Sequence, residues 1–138
     1  MPSTKQSLIY RQHVIDLHHW IATVFSGSGP EVESAHADLL ASFHPTFTMV
    51  TTAGDLVDLE QVKDLFRRNQ GLRPGMEIEI ADCEIIQTSG SMVAVRYRET
   101  QRTGSEQNTR LSIALLEHTS NGVVWRYLHE TAIGDRQP

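Results

Sequence analysis

The chain has 138 residues, of which 39% are hydrophobic, and this length suits one domain with a core of ordinary size. Its 12 Lys and Arg residues against 17 Asp and Glu give a formal charge of -5, and basic runs never exceed two residues, which argues against nucleic acid as a partner. Cys83 is the only cysteine, so an internal disulfide is excluded and a reducing cytoplasm is the expected location. We expect no contact with membranes, because no apolar run approaches the roughly 20 residues of a membrane-spanning helix.

The first part of the chain carries the signals of two helices. An apolar stripe with spacings of four, three, four and four residues predicts an amphipathic first helix, which the Ser- and Gly-rich stretch 26–30 ends. The stripe consists of Tyr10, Val14, Leu17, Ile21 and Phe25. A second helix is predicted from about Val32 to Phe43, closed by His44-Pro45 because a residue that precedes proline disfavours the helical conformation.

Two short strands, a third helix and four long strands follow. Residues 47–52 are rich in β-branched side chains and lead into a turn at 53–55, so they predict a strand with a return strand at 56–57. A third helix is predicted over 59–69, with Asp58 as its N-cap. Hairpin-length breaks between the long strands predict an antiparallel meander. The expected ranges of these strands are 76–88, 92–103, 107–119 and 123–133.

This order of elements resembles the α+β cone of the nuclear transport factor 2-like superfamily, a cystatin-like architecture that also includes SnoaL-type cyclases and ketosteroid isomerase. The stretch 42–50 with Gly54 looks like the family's passage from helix to strand, and 122–131 looks like its closing strand. The resemblance implies one domain over residues 1–138, with an ordered core of about 5–134, in which three helices pack on a curved mixed or antiparallel sheet. It further implies a conical pocket for a small-molecule ligand and a homodimer formed through the sheet.

The resemblance does not extend to steroid isomerisation. In ketosteroid isomerase a carboxylate base stands three residues before the glycine of the first hairpin, where this sequence has Thr51. The positions of that enzyme's oxyanion-binding tyrosine and protonated aspartate fall at Trp20 and Ala114. A hydroxyl does not accept a proton near neutral pH as a carboxylate does, so we expect a different reaction or none.

The closing strand carries aromatic and polar residues that favour a pocket. At strand period, one face of it holds Trp125, Tyr127, His129 and Thr131. The same alternation, continued through the hairpins, adds Tyr97, Glu99 and Arg110 to this pocket face, although a one-residue bulge would invert either neighbouring set. The residues expected on the outer face are Arg126, Leu128 and Glu130.

In this arrangement His129 is the expected catalytic residue, because an imidazole exchanges protons near neutral pH and Glu99 can hold it. Tyr97 is expected beside them, and Arg110 is expected to bind a carboxylate or carbonyl group of the ligand. The alternative is structural, since a buried pair between Glu99 and Arg110 would leave Arg110 unavailable to a ligand. Further ligand contacts are predicted at Trp125, Tyr127, Thr131, Trp20 and His44. For Trp20 the alternative is a place in the core, and for His44 it is a hydrogen bond to the end of a helix.

The histidines of the first helix do not predict a metal site. His18 and His19 point in different directions around a helix, and His13 adds no spacing typical of metal ligands. We expect neither a metal nor another cofactor. The sequence therefore predicts a small-molecule-binding domain with metal-free acid/base activity of the isomerase, dehydratase or cyclase type. The alternative is a noncatalytic module for dimerisation or ligand sensing.

Overall fold

Three helices and six strands make up the computed structural model, which describes residues 4–27 and 29–134. In chain order the elements are α1 (Thr4–Ser26), α2 (Pro30–Ala41), β1 (Phe43–Val50), β2 (Leu56–Asp58), α3 (Leu59–Arg68), β3 (Glu77–Ser89), β4 (Met92–Thr103), β5 (Glu106–Thr119) and β6 (Gly122–Ile133). This order confirms the predicted arrangement of an α+β fold. The segments 1–3 and 135–138, which flank the expected ordered core, lie outside the described residues.

All six strands form one mixed sheet in the order β2-β1-β6-β5-β4-β3. The strands from β3 to β6 each pair antiparallel with the next along the chain, which confirms the predicted meander. β1 pairs antiparallel with β2 and parallel with β6, so the short hairpin extends the sheet beside its last strand. α1 packs along α2 and β3, and α3 packs on β1 and β2. Within the part of the chain that the structure describes, no helix has the length and apolar content needed to cross a membrane.

Local sequence explains why α3 begins where it does. The Asp58 carboxylate accepts a hydrogen bond from the backbone N–H of Gln61 at 2.9 Å, and the Gln61 side chain accepts one from the backbone N–H of Asp58 at 2.8 Å. This reciprocal capping box satisfies two backbone donors that the first turn of a helix leaves without partners. It confirms Asp58 as the predicted N-cap.

The end of α2 differs from the prediction. The helix stops at Ala41, and Phe43, the expected last residue of the helix, is instead the first residue of β1. Phe43 pairs with Trp125 of β6, and the backbone N–H of Trp125 donates to the carbonyl of Ser42 at 2.8 Å. Pairing with β6 draws residues 43 and 44 into extended conformation, which also suits the position before Pro45. The helix therefore ends two residues earlier than the proline alone requires.

A β-bulge at Arg126 interrupts the pairing of β6 with β5. Leu116 pairs with Trp125, but the next pair joins Leu115 to Tyr127, so Arg126 is an extra residue in β6. An ion pair of 2.6 Å between Arg126 and a carboxylate of β5 holds this extra residue in place. A bulge of this kind shifts the alternation of side chains by one residue.

Beyond the bulge, the side chains of β6 lie on the faces opposite to those predicted. Leu128 and Glu130 are buried on the concave face, under the helices. Tyr127, His129 and Thr131 lie on the convex face, and the last two are exposed. The prediction that these three residues share the face of Trp125 is therefore wrong, because the bulge is not visible in the hydrophobic pattern.

Candidate functional site

An inner cavity of about 100 Å³ lies between α1, α3 and the concave face of the sheet. Most of its wall is apolar and consists of Leu17, Ile21, Phe25, Phe43, Phe47, Met49, Val62, Leu65, Phe66 and Leu128. The polar part of the wall consists of His18, Glu99, Gln101, Arg110 and Glu130. An apolar space with a few convergent polar groups is the usual form of a small-molecule site.

The inner cavity adjoins a vestibule of about 510 Å³. Both spaces are lined by Met49, Val62, Leu65, Arg110 and Glu130, so these residues form the boundary between them. The rest of the vestibule wall comes from the β1–β2 hairpin and α3: Thr51, Thr52, Asp55, Val57, Gln61, Asp64 and Arg68. A ligand can therefore bring an apolar part into the inner cavity while a polar part stays in the vestibule.

His18 of α1 and Glu99 of β4 form a buried ion pair on the wall of the inner cavity. Nε2 of His18 lies 3.1 Å from Oε1 of Glu99, and each residue is 2% exposed. The other ring nitrogen of His18 donates to the backbone carbonyl of Val14 at 2.8 Å, which fixes the orientation of the ring. Burial lowers the pKa of His18, but the charge of Glu99 and the Val14 carbonyl outweigh it, so the pKa is raised. Burial alone would raise the pKa of Glu99. The charge of His18 outweighs burial and lowers the pKa of Glu99 to about 2.

Tyr97 and Trp125 support His18 from behind. The Tyr97 and Trp125 rings meet the imidazole edge-on, with centroids 5.2 and 6.0 Å away, and the Tyr97 hydroxyl lies 3.4 Å from Nε2. Burial and the nearby charge of Glu99 raise the pKa of Tyr97, so its hydroxyl stays protonated. Both residues are buried, and their contacts position the imidazole rather than the ligand.

A chain of hydrogen bonds connects Glu99 to the loop after α3. Nε2 of Gln101 donates to Oε2 of Glu99 at 2.6 Å, and Arg73 donates to Oε1 of Gln101 at 3.3 Å. The backbone N–H groups of Gly71 and Arg73 donate to the last carbonyls of α1 at 2.9 and 2.8 Å, which fixes the loop on the end of that helix. Gly71 has a φ of 72°, and a Cβ there would lie 3.2 Å from a backbone oxygen of the turn after α1. The loop thus needs a glycine at this point to bring Arg73 to Gln101.

Arg110 of β5 and Glu130 of β6 form a second ion pair, at the boundary of the inner cavity and the vestibule. Nη1 of Arg110 lies 3.3 Å from Oε1 of Glu130, and Nη2 donates to the side-chain oxygen of Asn108 at 2.8 Å. Burial raises the pKa of Glu130, and the charge of Glu99 raises it further, while Arg110 opposes both effects. The two carboxylates of the cavity therefore have pKa values shifted in opposite directions.

Several buried polar atoms of this region have no hydrogen-bond partner among the described residues. They are Oε1 of Glu99, Nε of Arg110 and Oγ of Ser112, with Nε2 of His36 elsewhere in the molecule. Oε1 of Glu99 nevertheless lies 3.1 Å from Nε2 of His18, which is its ionic partner. An unpaired buried polar atom costs about 1–3 kcal/mol. Nε of Arg110 is thus a buried donor at the cavity that has no acceptor among the described residues.

The predicted catalytic residues are divided between the two faces of the sheet. Glu99 lines the inner cavity, and Tyr97 lies behind His18. His129 is on the convex face, where its Nδ1 lies 3.0 Å from the Tyr127 hydroxyl. The bulge in β6 therefore removes His129 from the cavity, together with two of the predicted ligand contacts, Tyr127 and Thr131.

The other predicted ligand contacts also separate. Arg110 lines both spaces, whereas Trp20 borders an open groove between α1 and α2. Nδ1 of His44 accepts a hydrogen bond from the backbone N–H of Thr46 at 3.1 Å, so His44 stabilises the start of β1. Glu99 and Arg110 are cross-strand neighbours, as predicted, but each takes a different partner. The expected structural pair is replaced by two separate ion pairs.

Sequence reasoning missed His18, Gln101 and Glu130 as cavity residues. A signal for His18 is present, because it lies four residues after Val14 and three before Ile21 and so shares the face of the apolar stripe. Glu130 has no comparable signal, since the bulge alone decides its direction. Among the residues that the structure describes, no three His, Cys, Asp or Glu side chains lie together as a metal site requires.

Comparison with solved structures identifies relatives of this fold. The chain is 32% identical to a nuclear transport factor 2-like protein of unknown function from Pseudomonas aeruginosa, over 91% of this chain and 99% of that one, with a TM-score of 0.84. A candidate dehydratase of the same family from Streptomyces avermitilis is 8% identical over 95% of this chain and 99% of that one, with a TM-score of 0.75. Aln2 from another Streptomyces strain is 13% identical over 96% of this chain and 94% of that one, with a TM-score of 0.76. No protein-family model and no curated protein matches the sequence.

The likeness to the two Streptomyces proteins concerns the fold alone. The Pseudomonas protein adds sequence identity over nearly the full length of both chains. The mixed sheet and the three helices on its concave face agree with that similarity. The chain therefore belongs to the nuclear transport factor 2-like family.

Proposed function

We propose that the chain binds a compact, partly apolar molecule in the inner cavity and acts on it by metal-free acid/base chemistry. The observation that supports this most is the pair of carboxylates, Glu99 and Glu130, on the wall of an otherwise apolar space. Their environments shift the two pKa values in opposite directions, to about 2 for Glu99 and upward for Glu130. Pairs of this kind allow one group to accept a proton while the other donates one.

The reaction class that fits is dehydration or isomerisation next to a carbonyl group. Arg110 binds the carbonyl or carboxylate oxygen, and its positive charge makes the neighbouring C–H more acidic. Such activation is required because Glu99, with a pKa of about 2, is a weak base. In a dehydration Glu99 takes the C–H proton, the electron pair forms a C=C bond, the C–O bond breaks, and the proton of Glu130 joins the leaving hydroxide to give water. In an isomerisation the proton returns to a different carbon.

The test is a screen of compact hydroxy-carbonyl compounds, with products detected by proton NMR. We expect Glu99→Gln and Glu130→Gln each to lower turnover by at least about 100-fold, because a positioned acid or base contributes about that much. His129→Ala, on the convex face, is the matched control and should retain turnover. Full activity of both glutamine variants would reject the proposed chemistry.

As the alternative function, we propose that the chain is noncatalytic and associates with a second copy of itself through the convex face. Leu111 and Ile113 are each 40% exposed there, next to Tyr127 and His129 on β6. Exposed apolar residues grouped on one face favour an interface. Light scattering should give the mass of a dimer at micromolar concentration, and Ile113→Lys should give a monomer while Leu72→Lys, in an exposed loop, should not. A monomeric wild-type protein would contradict this.

We propose that the protein carries out either function in the cytoplasm, because a single cysteine is typical of a reducing compartment.

A further inference from the structure

We propose that the ligand is a compact carboxylate that binds Arg110 beside Glu130, and that Glu130 binds one proton from solvent when the ligand enters. This inference rests on the proposed function, because it concerns the same cavity. It adds the chemical class of the ligand and a coupling between binding and proton uptake. The structure supports it at three points: the donors of Arg110, the charges around Glu130 and the shape of the space.

Arg110 has donors that its present partners do not use. Its Nε–H is buried and has no hydrogen-bond partner among the described residues. Its contact with Glu130 is 3.3 Å, longer than the 2.7–2.9 Å that is usual between a guanidinium and a carboxylate. Nη2 has two hydrogens, of which Asn108 takes one. The Nε–H and one Nη2 hydrogen lie parallel on an edge of the guanidinium that Glu130, on Nη1, does not occupy, and such an edge can bind both oxygens of a carboxylate.

The charges of the inner cavity balance before a ligand enters. When His18 is protonated, which its raised pKa favours, His18 of α1 and Arg110 of β5 are positive, and their ion-pair partners Glu99 of β4 and Glu130 of β6 are negative. The groups that face Glu130 across the vestibule, from the β1–β2 hairpin and α3, are Asp55, Asp64 and Arg68, of which the last two pair at 2.7 Å. A carboxylate added to this set would be an unbalanced negative charge in an apolar space, which is unfavourable.

Protonation of Glu130 restores the balance. His18 and Glu99 already pair at 3.1 Å, and Gln101 also donates to Glu99, so Glu130 has the weaker partner of the two carboxylates. Burial and the charge of Glu99 also raise the pKa of Glu130, in agreement with this choice. Glu130 borders the vestibule, through which water can deliver the proton. The new O–H of Glu130 then donates a hydrogen bond to the bound carboxylate in place of the repulsion between two anions.

The shape of the space limits the rest of the ligand. The inner cavity measures about 100 Å³, and its apolar wall includes the rings of Phe43, Phe47 and Phe66. This suits a single ring or a short branched chain attached to the carboxylate. Benzoate is a suitable probe, and benzamide is its neutral counterpart of almost the same shape.

The test is isothermal titration of the whole protein with benzoate and with benzamide, in buffers of different ionisation enthalpy and between pH 5 and pH 8. We expect benzoate to bind more tightly than benzamide, with uptake of up to one proton. Above the pKa of Glu130, the affinity should fall by about tenfold per pH unit. Glu130→Gln should bind benzoate at least as tightly as wild type, without proton uptake and without this pH dependence. Arg110→Gln should lose benzoate binding by at least about tenfold and retain benzamide.

His129→Ala is the control and should match wild type in every titration. The inference is overturned if benzamide binds as tightly as benzoate, if no proton is taken up, if Glu130→Gln weakens benzoate binding, or if benzoate does not bind. Circular dichroism confirms that each variant is folded. If Arg110→Gln is not folded, the titrations of Glu130→Gln alone decide whether the inference holds. Binding of benzamide but not benzoate would remove this inference and leave the proposed function standing. Proton-coupled binding of benzoate by a chain that lacks acid/base activity would support this inference and remove the proposed function.

Discussion

The two faces of the sheet carry ion pairs of nearly equal length in different environments. On the convex face the pairs Arg96–Glu84, Arg98–Asp82 and Arg102–Glu79 measure 3.1, 3.2 and 3.0 Å, and their side chains are 41 to 66% exposed. On the concave face His18–Glu99 and Arg110–Glu130 measure 3.1 and 3.3 Å, with side chains 3 to 18% exposed. Distance therefore does not distinguish the pairs, and burial does.

Burial changes what such a pair does for the protein. An exposed pair is screened by water and salt and contributes at most about 1 kcal/mol. A buried pair has lost its hydration, so each partner depends on the other, and its pKa responds strongly. The concave pairs are thus sensitive to anything that enters the cavity, which is the property that a binding site requires.

Removal of one partner of the buried pair should have the largest effect. We expect Glu99→Ala to lower the free energy of unfolding by about 3–5 kcal/mol, because His18 then remains buried without its partner. Glu84→Ala removes the same kind of group from the convex face and should cost less than about 1 kcal/mol. Urea denaturation of both variants at pH 7 measures the difference. Equal losses would show that burial does not separate the two faces.

Acid should weaken the protein through the same carboxylate. The pKa of Glu99 is about 2 in the folded chain, against an ordinary value of 4.5. A lowered pKa gives stability that is present above pH 4.5 and is lost as the pH falls toward 2, and the shift corresponds to about 3 kcal/mol. Denaturation at a series of pH values should show this loss in wild type, and Glu99→Gln should be less sensitive to pH in that window. An identical acid profile for the variant would contradict the assignment.

His18 and Glu130 should respond to rising pH. The pKa of each is raised, so the stability that it contributes is full below its ordinary value and is lost as the pH rises through the folded value. The decline begins above 6.5 for His18 and above 4.5 for Glu130. His18→Gln and Glu130→Gln should each flatten the profile in its own window. If the free energy of unfolding keeps the same dependence on pH in both variants, groups other than His18 and Glu130 are responsible for it.

The convex pairs should show the smallest effect. Arg98→Ala should change the free energy of unfolding by less than about 1 kcal/mol, and the difference should disappear in 1 M NaCl, where the screening length is about 3 Å. The loss caused by Glu99→Ala should persist at that salt concentration, since the side chains of the His18–Glu99 pair are only 3% exposed and salt screens a buried pair much less. Denaturation of the two variants with and without salt checks both statements.

The sequence predicted the fold well because the fold depends on repeated local signals. The stripe from Tyr10 to Phe25, the N-cap at Asp58 and the hairpin breaks between long strands each act over a few residues, and all are present in the structure. The inner positions of β4 and β5 were also predicted, so Glu99 and Arg110 were found.

The site was predicted only in part because it depends on one irregular residue. Arg126 carries no signal that marks it as the extra residue of a bulge, yet the bulge exchanges the directions of His129 and Glu130. The bulge also determines the ion-pair partner of Arg110, because it turns Glu130 to the face of the sheet on which Arg110 lies. Strand period alone therefore identified the strands that line the cavity but assigned His129 and Glu130 to the wrong faces of the last one.

We propose that the concave interior, and not the convex face, binds a small molecule. Methyl NMR of the protein titrated with benzoate tests it directly, because both faces carry methyl groups. We predict that signals of Leu17, Met49 and Leu128, which line the inner cavity, shift with a saturable dependence on benzoate, whereas those of Leu111 and Ile113 stay in place. Saturable shifts confined to Leu111 and Ile113, or none in the interior, would contradict the account.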